Sequence, residues 1–122
     1  MDAPRLPHRY PFAMVEDHHG DRAVRFSADD ARCRGGGVPV WAILEAFAQA
    51  AGLSAFGSGT GGSLVQVNRF RCPRSIQPGD ELALTVVVQK RMGPLVRARV
   101  SARRGGRLAA AASLTLRGEG LS

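Results

Sequence analysis

The chain has little of what marks secreted, membrane-spanning or cofactor-binding proteins. Its 122 residues include only two cysteines, Cys33 and Cys72, which form no C-x-x-C pair. We therefore expect no disulfide framework and a reduced, cytoplasmic setting. No apolar run reaches the roughly 18 residues of a membrane span, and no basic segment leads into an apolar stretch at the N-terminus. We expect no membrane span and no signal peptide. No phosphate-binding or dinucleotide-binding glycine spacing is present, and we expect no cofactor and no metal.

Lysine is also scarce, and the positive charge is carried by arginine in one half of the chain. Residues 1–62 hold six arginines and seven acids, a sum of −1, whereas residues 63–122 hold ten arginines, one lysine and three acids, a sum of +8. Such a basic half attracts an acidic partner, although it also serves solubility alone. Phe70 is the only aromatic residue after Gly62, so aromatics are not interleaved with the arginines. This disfavours nucleic acid as the partner.

The periodicity predicts one helix and several strands in a single domain spanning residues 1–122. Residues 39–56 form an apolar helical segment with Pro39 in its first turn and Gly57 as a left-handed stop. Period-two patterns between turn residues predict strands at 12–16, 22–27, 63–71, 81–90, 95–103 and 107–116. This order indicates an α+β fold, with a long helix against an antiparallel sheet.

The last strands have one apolar and one basic face. Between 95 and 103, apolar residues alternate with arginines, which predicts a strand with one buried and one solvated face. The apolar set is Val96, Ala98 and Val100, and the basic set is Arg97, Arg99 and Arg103. We expect turns at 91–94 and at Gly105–Gly106.

Glu45 is the only charged residue between Val38 and Phe56. A helix that is apolar all round is buried, and a carboxylate within it is costly unless it is paired or used. Gln49 lies one turn further along the same face, where it either orients that carboxylate or caps a polar spot in the interface. Glu45 is therefore the first candidate for chemistry, with a hydrogen-bonded core carboxylate as the alternative.

Three segments carry a family resemblance. Residues 6–12 (Leu-Pro-His-Arg-Tyr-Pro-Phe), 44–49 (Leu-Glu-Ala-Phe-Ala-Gln), and Arg69-Phe70-Arg71 with Pro78-Gly79-Asp80 resemble, in the same order, the β-hydroxyacyl-acyl-carrier-protein dehydratases of the FabZ type. The resemblance implies a hotdog fold, in which an antiparallel sheet wraps a long central helix. It also implies dimers that act on acyl thioesters during fatty-acid or polyketide biosynthesis.

The resemblance further implies roles for individual residues. Glu45 would be the catalytic carboxylate, and Gly37 would offer a backbone N–H to the thioester carbonyl. The acyl path would be lined by Trp41, Phe47, Gln49 and Phe56, although core packing is the alternative for each aromatic. An acyl carrier protein, or a coenzyme A thioester, would be the partner. The basic residues facing a carrier protein would be Arg69, Arg71 and Arg74.

One part of the family pattern is missing. The family has a Gly-His-Phe-Pro-Gly loop before the helix, which supplies the catalytic histidine. Residues 29–39 read Asp-Asp-Ala-Arg-Cys-Arg-Gly-Gly-Gly-Val-Pro and contain no histidine. Dehydration of a 3-hydroxyacyl thioester needs a base and an acid, so half of the pair is absent. We therefore expect an impaired dehydratase or a partner subunit, which forms either a homodimer or a heterodimer with a complete dehydratase-like subunit.

Other candidates remain open. His18 and His19 precede a turn at Gly20 and are possible displaced bases, while His8 belongs to the opening segment. Gly35 and Gly36 form either an anion-binding helix start with Gly37 or a flexible link. Cys33 has no neighbouring histidine and is expected to be inert. A hotdog acyl thioesterase that uses Glu45 without a histidine is the alternative function.

Overall fold

The computed structural model describes residues 12–16, 22–26, 37–57 and 62–118. The elements run β1 (Phe12–Glu16), β2 (Arg22–Phe26), α1 (Val40–Phe56), β3 (Gly62–Arg71), β4 (Glu81–Met92), β5 (Leu95–Arg104) and β6 (Arg107–Gly118). Every strand pairing is antiparallel, in one six-stranded sheet of order β1-β2-β4-β5-β6-β3. The helix packs against β3, β4, β5 and β6. This is the α+β hotdog architecture that the sequence predicts.

The core lies between the helix and the inner face of the sheet. On β5, Val96, Ala98 and Val100 are buried and the arginines between them are exposed, which confirms the predicted two-faced strand. The helix contributes mostly alanine to the interface, and these small side chains let it lie close to the sheet. Its buried residues are Ala42, Ile43, Ala46, Phe47, Ala50, Ala51 and Ala55.

Several predicted boundaries differ from the structure by one or two residues, and two of these differences change the assignment of a turn or a cap. Strand β4 extends to Met92 because Arg91 and Met92 pair with Val96 and Leu95, so the turn is confined to Gly93 and Pro94. Pro39 precedes the helix as its N-cap instead of lying in the first turn.

The helix ends where the sequence predicts, but with a different backbone conformation. Gly57 has φ 82° and ψ 171°, an extended region open almost only to glycine, and not the left-handed helical one. Its N–H donates to the Leu53 carbonyl at 3.0 Å, which still closes the last turn.

Strand β3 lies at one edge of the sheet and is irregular. Its register with β6 shifts between Leu64 and Gln66 and again between Asn68 and Arg71. Within the second shift Arg69 has φ 55°, the one positive φ of a non-glycine residue in the part of the chain described. Each shift is a β-bulge, in which β3 has one residue more than β6.

Candidate functional site

The helix is not apolar and buried all round, as its sequence led us to expect. One face packs on the sheet, while the opposite face is half-buried and holds only two polar side chains, Glu45 and Gln49. We call this surface the open helix face. Its residues are Trp41, Leu44, Glu45, Ala48, Gln49, Gly52, Leu53 and Phe56, of which Leu53 is the most exposed at 37%.

Glu45 occupies the middle of the open helix face. It is the only carboxylate of α1, and Gln49 follows it by four residues, so the two side chains are neighbours on the helix surface. Since Glu45 is half-buried and not enclosed, a ligand or second subunit lying on this face would touch it. A carboxylate in that position can accept or deliver a proton on an apolar surface.

The structure separates the aromatic residues predicted to line an acyl path. Trp41 and Phe56 lie on the open helix face with Gln49 and are half-buried. Phe47 is 1% exposed and belongs to the core, on the sheet side of the helix. Phe56 also packs against β3. Its ring lies so close to Gly62 that a Cβ added to this glycine would be 3.0 Å from it. Three of the four predicted residues therefore share one surface with Glu45.

Gly37 is held tightly at the start of the helix. It is buried with φ +81°, and an added Cβ would lie 2.8 Å from both the Ile76 carbonyl oxygen and the Ser75 Oγ. The N–H of Val38 donates to that Ile76 carbonyl at 2.7 Å. This N–H is therefore committed to the fold, and Gly37 lets two backbone segments approach closely.

The Pro78-Gly79-Asp80 turn supports this helix start. Asp80 accepts a hydrogen bond from the Gln77 backbone N–H at 2.9 Å and forms an ion pair with Arg104 at 2.5 Å. Arg104 also donates to the Ser75 carbonyl at 3.2 Å. Sequence reasoning missed Arg104, because its partners lie more than 20 residues away, as the separations of 24 and 29 show. The turn thus fixes the segment against which Gly37 packs.

The three arginines predicted to face a carrier protein do not form one cluster. Arg69, Arg71 and Arg74 are all exposed. Arg69 and Arg71 line a groove on the outer face of the sheet, together with arginines of β5, whereas Arg74 is not among the lining residues. Arg74 lies between β3 and β4, where its carbonyl accepts a hydrogen bond from the Cys72 thiol at 3.1 Å.

Cys72 is a half-buried free thiol near this segment. Burial raises its pKa above the ordinary value, and this outweighs the lowering by the Arg74 backbone and the Arg104 charge. A raised pKa leaves little thiolate near neutral pH, so Cys72 is a poor nucleophile.

The remaining candidates lie outside the described residues. These are His8, His18, His19, Cys33, Gly35 and Gly36. Within the ranges described, no group of three or more His, Cys, Asp or Glu residues is arranged to hold a metal ion, and no helix is long and apolar enough to cross a membrane.

Solved structures with the same architecture define the class of this fold. Protein smu.793 of Streptococcus mutans, solved bound to acetyl-CoA, superposes with a TM-score of 0.70 at 19% identity over 99% of this chain and 97% of its own. The dehydratase heterocomplex ApeI:P of Xenorhabdus doucetiae superposes with a TM-score of 0.65 at 17% identity over 80% of this chain and 72% of its own. The chain is a hotdog-fold protein.

Sequence comparison gives the family. No family model matches the chain. The 3-hydroxyacyl-[acyl-carrier-protein] dehydratase FabZ of Thermoanaerobacter sp. (strain X514) is 32% identical over 125 residues, covering 89% of this chain and 88% of the relative. FabZ of Pelotomaculum thermopropionicum is 34% identical over 125 residues, covering 89% of each. The chain belongs to the FabZ family of 3-hydroxyacyl-[acyl-carrier-protein] dehydratases.

Proposed function

We propose that this chain is a cytoplasmic, dehydratase-type subunit that binds acyl thioesters in fatty-acid or polyketide biosynthesis, with Glu45 as its catalytic carboxylate. The observation that carries the proposal is the position of Glu45 in the centre of a half-buried apolar helix face, in a chain of the FabZ family. An acyl chain needs an apolar wall, and the reacting atoms need one placed proton donor or acceptor.

The second subunit is part of this proposal. Among the described residues, the open helix face is only half-buried and β3 has no strand on its outer side. Sheet edges are usually paired or covered. A second hotdog subunit next to β3 would pair this edge and cover the open helix face. The acyl group would then lie between Trp41, Gln49 and Phe56 of this chain and the partner. We propose a coenzyme A thioester or an acyl carrier protein as the group's carrier, the latter meeting Arg69, Arg71 and Arg74.

The proposed chemistry explains why the missing histidine matters. Dehydration transfers the C2 proton to a base, while the C3 hydroxyl accepts a proton from an acid and leaves as water, so that a C2–C3 double bond forms. Glu45 can supply or accept one proton. Residues 29–39 provide no histidine for the other transfer, so the second group must come from elsewhere. We propose that an intact family member supplies it as the partner in a heterodimer, and the chain alone is impaired.

The test compares the chain alone with the chain mixed with a complete FabZ-type subunit, using a 3-hydroxyacyl thioester and following enoyl formation by absorbance. We expect the chain alone to be slower than the complete enzyme by roughly 10²–10⁴-fold, the usual contribution of one positioned acid or base. We expect a mixed dimer by native mass spectrometry. Full activity of the chain alone would contradict the impaired-subunit proposal.

A hotdog thioesterase is the second candidate, because residues 29–39, just before the helix that carries Glu45, contain no histidine. A single carboxylate can activate water toward the thioester carbonyl, which releases a free thiol. Thiol release from acyl-CoA, detected with a disulfide reagent, separates this reaction from dehydration, which leaves the thioester intact.

A further inference from the structure

The outer face of the sheet carries a second feature, on the side away from the helix. A groove with a volume of about 780 Å³ crosses β3, β5 and β6 and reaches Gln89 of β4. We call it the arginine groove, after the arginines that line it, which are Arg69, Arg71, Arg97, Arg99 and Arg103. The side chains between the β5 arginines, Val96, Ala98 and Val100, point into the core. The arginine groove and the open helix face are therefore on opposite sides of the sheet.

The described residues that line the arginine groove carry a net positive charge. No Asp or Glu is among its lining residues. Of the described carboxylates beside the sheet, Asp80 pairs with Arg104 and Glu81 pairs with Arg25 at 2.6 Å. Arg97 is moreover directly opposite Lys90 on β4, and like charges in that position destabilise a sheet. An anion in the groove would relieve this repulsion.

The β-bulge at Arg69 increases the number of polar side chains that reach the groove. In a regular strand, neighbouring residues point to opposite faces. Here Asn68, Arg69 and Arg71 all line the groove, while Val67 and Phe70 pack against the core. The left-handed backbone conformation of Arg69 is strained for a residue with a side chain. Such strain concentrates at functional sites.

The lining indicates the chemical class of the ligand. A guanidinium group can donate two parallel hydrogen bonds to the oxygens of one phosphate. Further hydrogen-bonding groups in the groove are Asn68, Ser101 and Ser113. No aromatic side chain lines the groove, so it offers no stacking surface for nucleobases. The volume lies within the usual range of roughly 300–1,000 Å³ for small-molecule sites. We infer that the arginine groove binds a small molecule that carries two or more phosphate groups, on the side of the sheet away from the open helix face.

The test is calorimetric titration of the full chain with tripolyphosphate at about 0.15 M ionic strength, where weak surface attraction is screened. The groove variant is Arg97→Gln with Arg99→Gln, which avoids the arginines proposed to meet a carrier protein. The matched control is Arg91→Gln with Arg117→Gln, which removes the same charge from exposed positions of the same sheet outside the groove. Circular dichroism checks the fold of both, and Arg99→Lys, which keeps the charge but loses the paired hydrogen bonds, serves if the double variant does not fold.

We expect saturable binding near one tripolyphosphate per chain, weakened roughly tenfold or more in the groove variant and within about threefold in the control. Arg99→Lys should weaken binding severalfold. Equal weakening in both double variants, an unchanged Arg99→Lys, or no saturation would overturn the inference. So would groove-dependent binding of an apo carrier protein or a single-stranded oligonucleotide without binding of tripolyphosphate, because the face would then dock a macromolecule. These results are independent of dehydratase or thioesterase activity.

Discussion

Arg22 of β2 donates from Nη1 to the Oγ of Ser54 at 2.9 Å and thereby joins the sheet to the last turn of the helix. Arg22 is 9% exposed, and its guanidinium brings a positive charge close to the C-terminal end of α1. At that end the last backbone carbonyls have no hydrogen-bond donor within the helix. A cation is favourable at that end of a helix. This contact fixes the C-terminal end of the open helix face, and the packing of Gly37 fixes its N-terminal end.

Ser54→Ala should lower the free energy of unfolding by about 1–2 kcal/mol, because it removes an acceptor from a largely buried charged donor. Urea denaturation should show a lower midpoint with an unchanged slope. Ser101→Ala on the outer face of the sheet is the control and should change stability by less than about 0.5 kcal/mol. Equal losses in the two variants would show that the Arg22–Ser54 contact contributes nothing.

Gly37→Ala should destabilise the protein by more than about 2 kcal/mol, since it adds both a left-handed side chain and a 2.8 Å clash with the Ile76 carbonyl. Gly106→Ala isolates the first effect, because Gly106 has a similar φ of +82° but no atom within 4 Å of an added Cβ. Its expected cost is roughly 1–2 kcal/mol. Thermal unfolding measures both, and a Gly37 variant as stable as the Gly106 variant would contradict the close packing.

Glu45→Gln should abolish whatever thioester activity the chain has, alone or in a mixed dimer, while leaving the fold intact, because the change is nearly isosteric. The assay is enoyl formation and thiol release from the same substrates. Glu81→Gln is the matched control, since Glu81 is exposed on β4 and pairs with Arg25. Undiminished activity of the Glu45 variant would reduce this carboxylate to a structural group and make His18 and His19 the next residues to test.

Gly52→Arg should prevent dimerisation without unfolding the chain. An added Cβ at Gly52 meets no atom within 4 Å, so a larger side chain fits the monomer, but it projects from the open helix face. The matched control is Val87→Arg, on an exposed position of β4 that is 53% accessible. Light scattering should give a dimer for the control and a monomer for Gly52→Arg. Two dimers would place the subunit contact elsewhere.

Cys72 should react slowly with a thiol reagent near neutral pH, and its rate should continue to rise at pH values where an unperturbed cysteine is already ionised. The reason is that burial raises the pKa of its thiol, so less thiolate is present at a given pH. The measurement uses a Cys33→Ser background, in which Cys72 is the one remaining cysteine. A reaction faster than that of free cysteine at neutral pH would contradict the raised pKa.

Local patterns were enough to predict most of the fold. Alternation around Val96 and Arg97 predicted β5 and both of its faces, and the apolar run after Pro39 predicted the helix. Glu45 was identified because a lone carboxylate in such a run is unusual. The family resemblance then connected the helix to the hotdog class, which the comparisons support.

The rest depends on contacts between distant residues. The sheet order, which sends β3 to the edge beside β6, is set by the crossover around the helix and not by any local pattern. In the sequence Arg104 is one more basic residue of a basic strand. In the structure it donates hydrogen bonds to the Asp80 carboxylate and the Ser75 carbonyl. The alternation in Arg69-Phe70-Arg71 gave no sign that Asn68 would share their face, because a β-bulge becomes visible only against its partner strand.

The irregular register of β3 also limits how copies of this protein can assemble. A straight exposed strand can accept one neighbour after another, which is how fibrils grow. The two bulges of β3 twist its edge, so only a strand with a matching irregularity can follow it for long. In the proposed dimer, a second subunit related by two-fold symmetry would offer that match and use up its own β3. Growth along this edge would then stop at a pair.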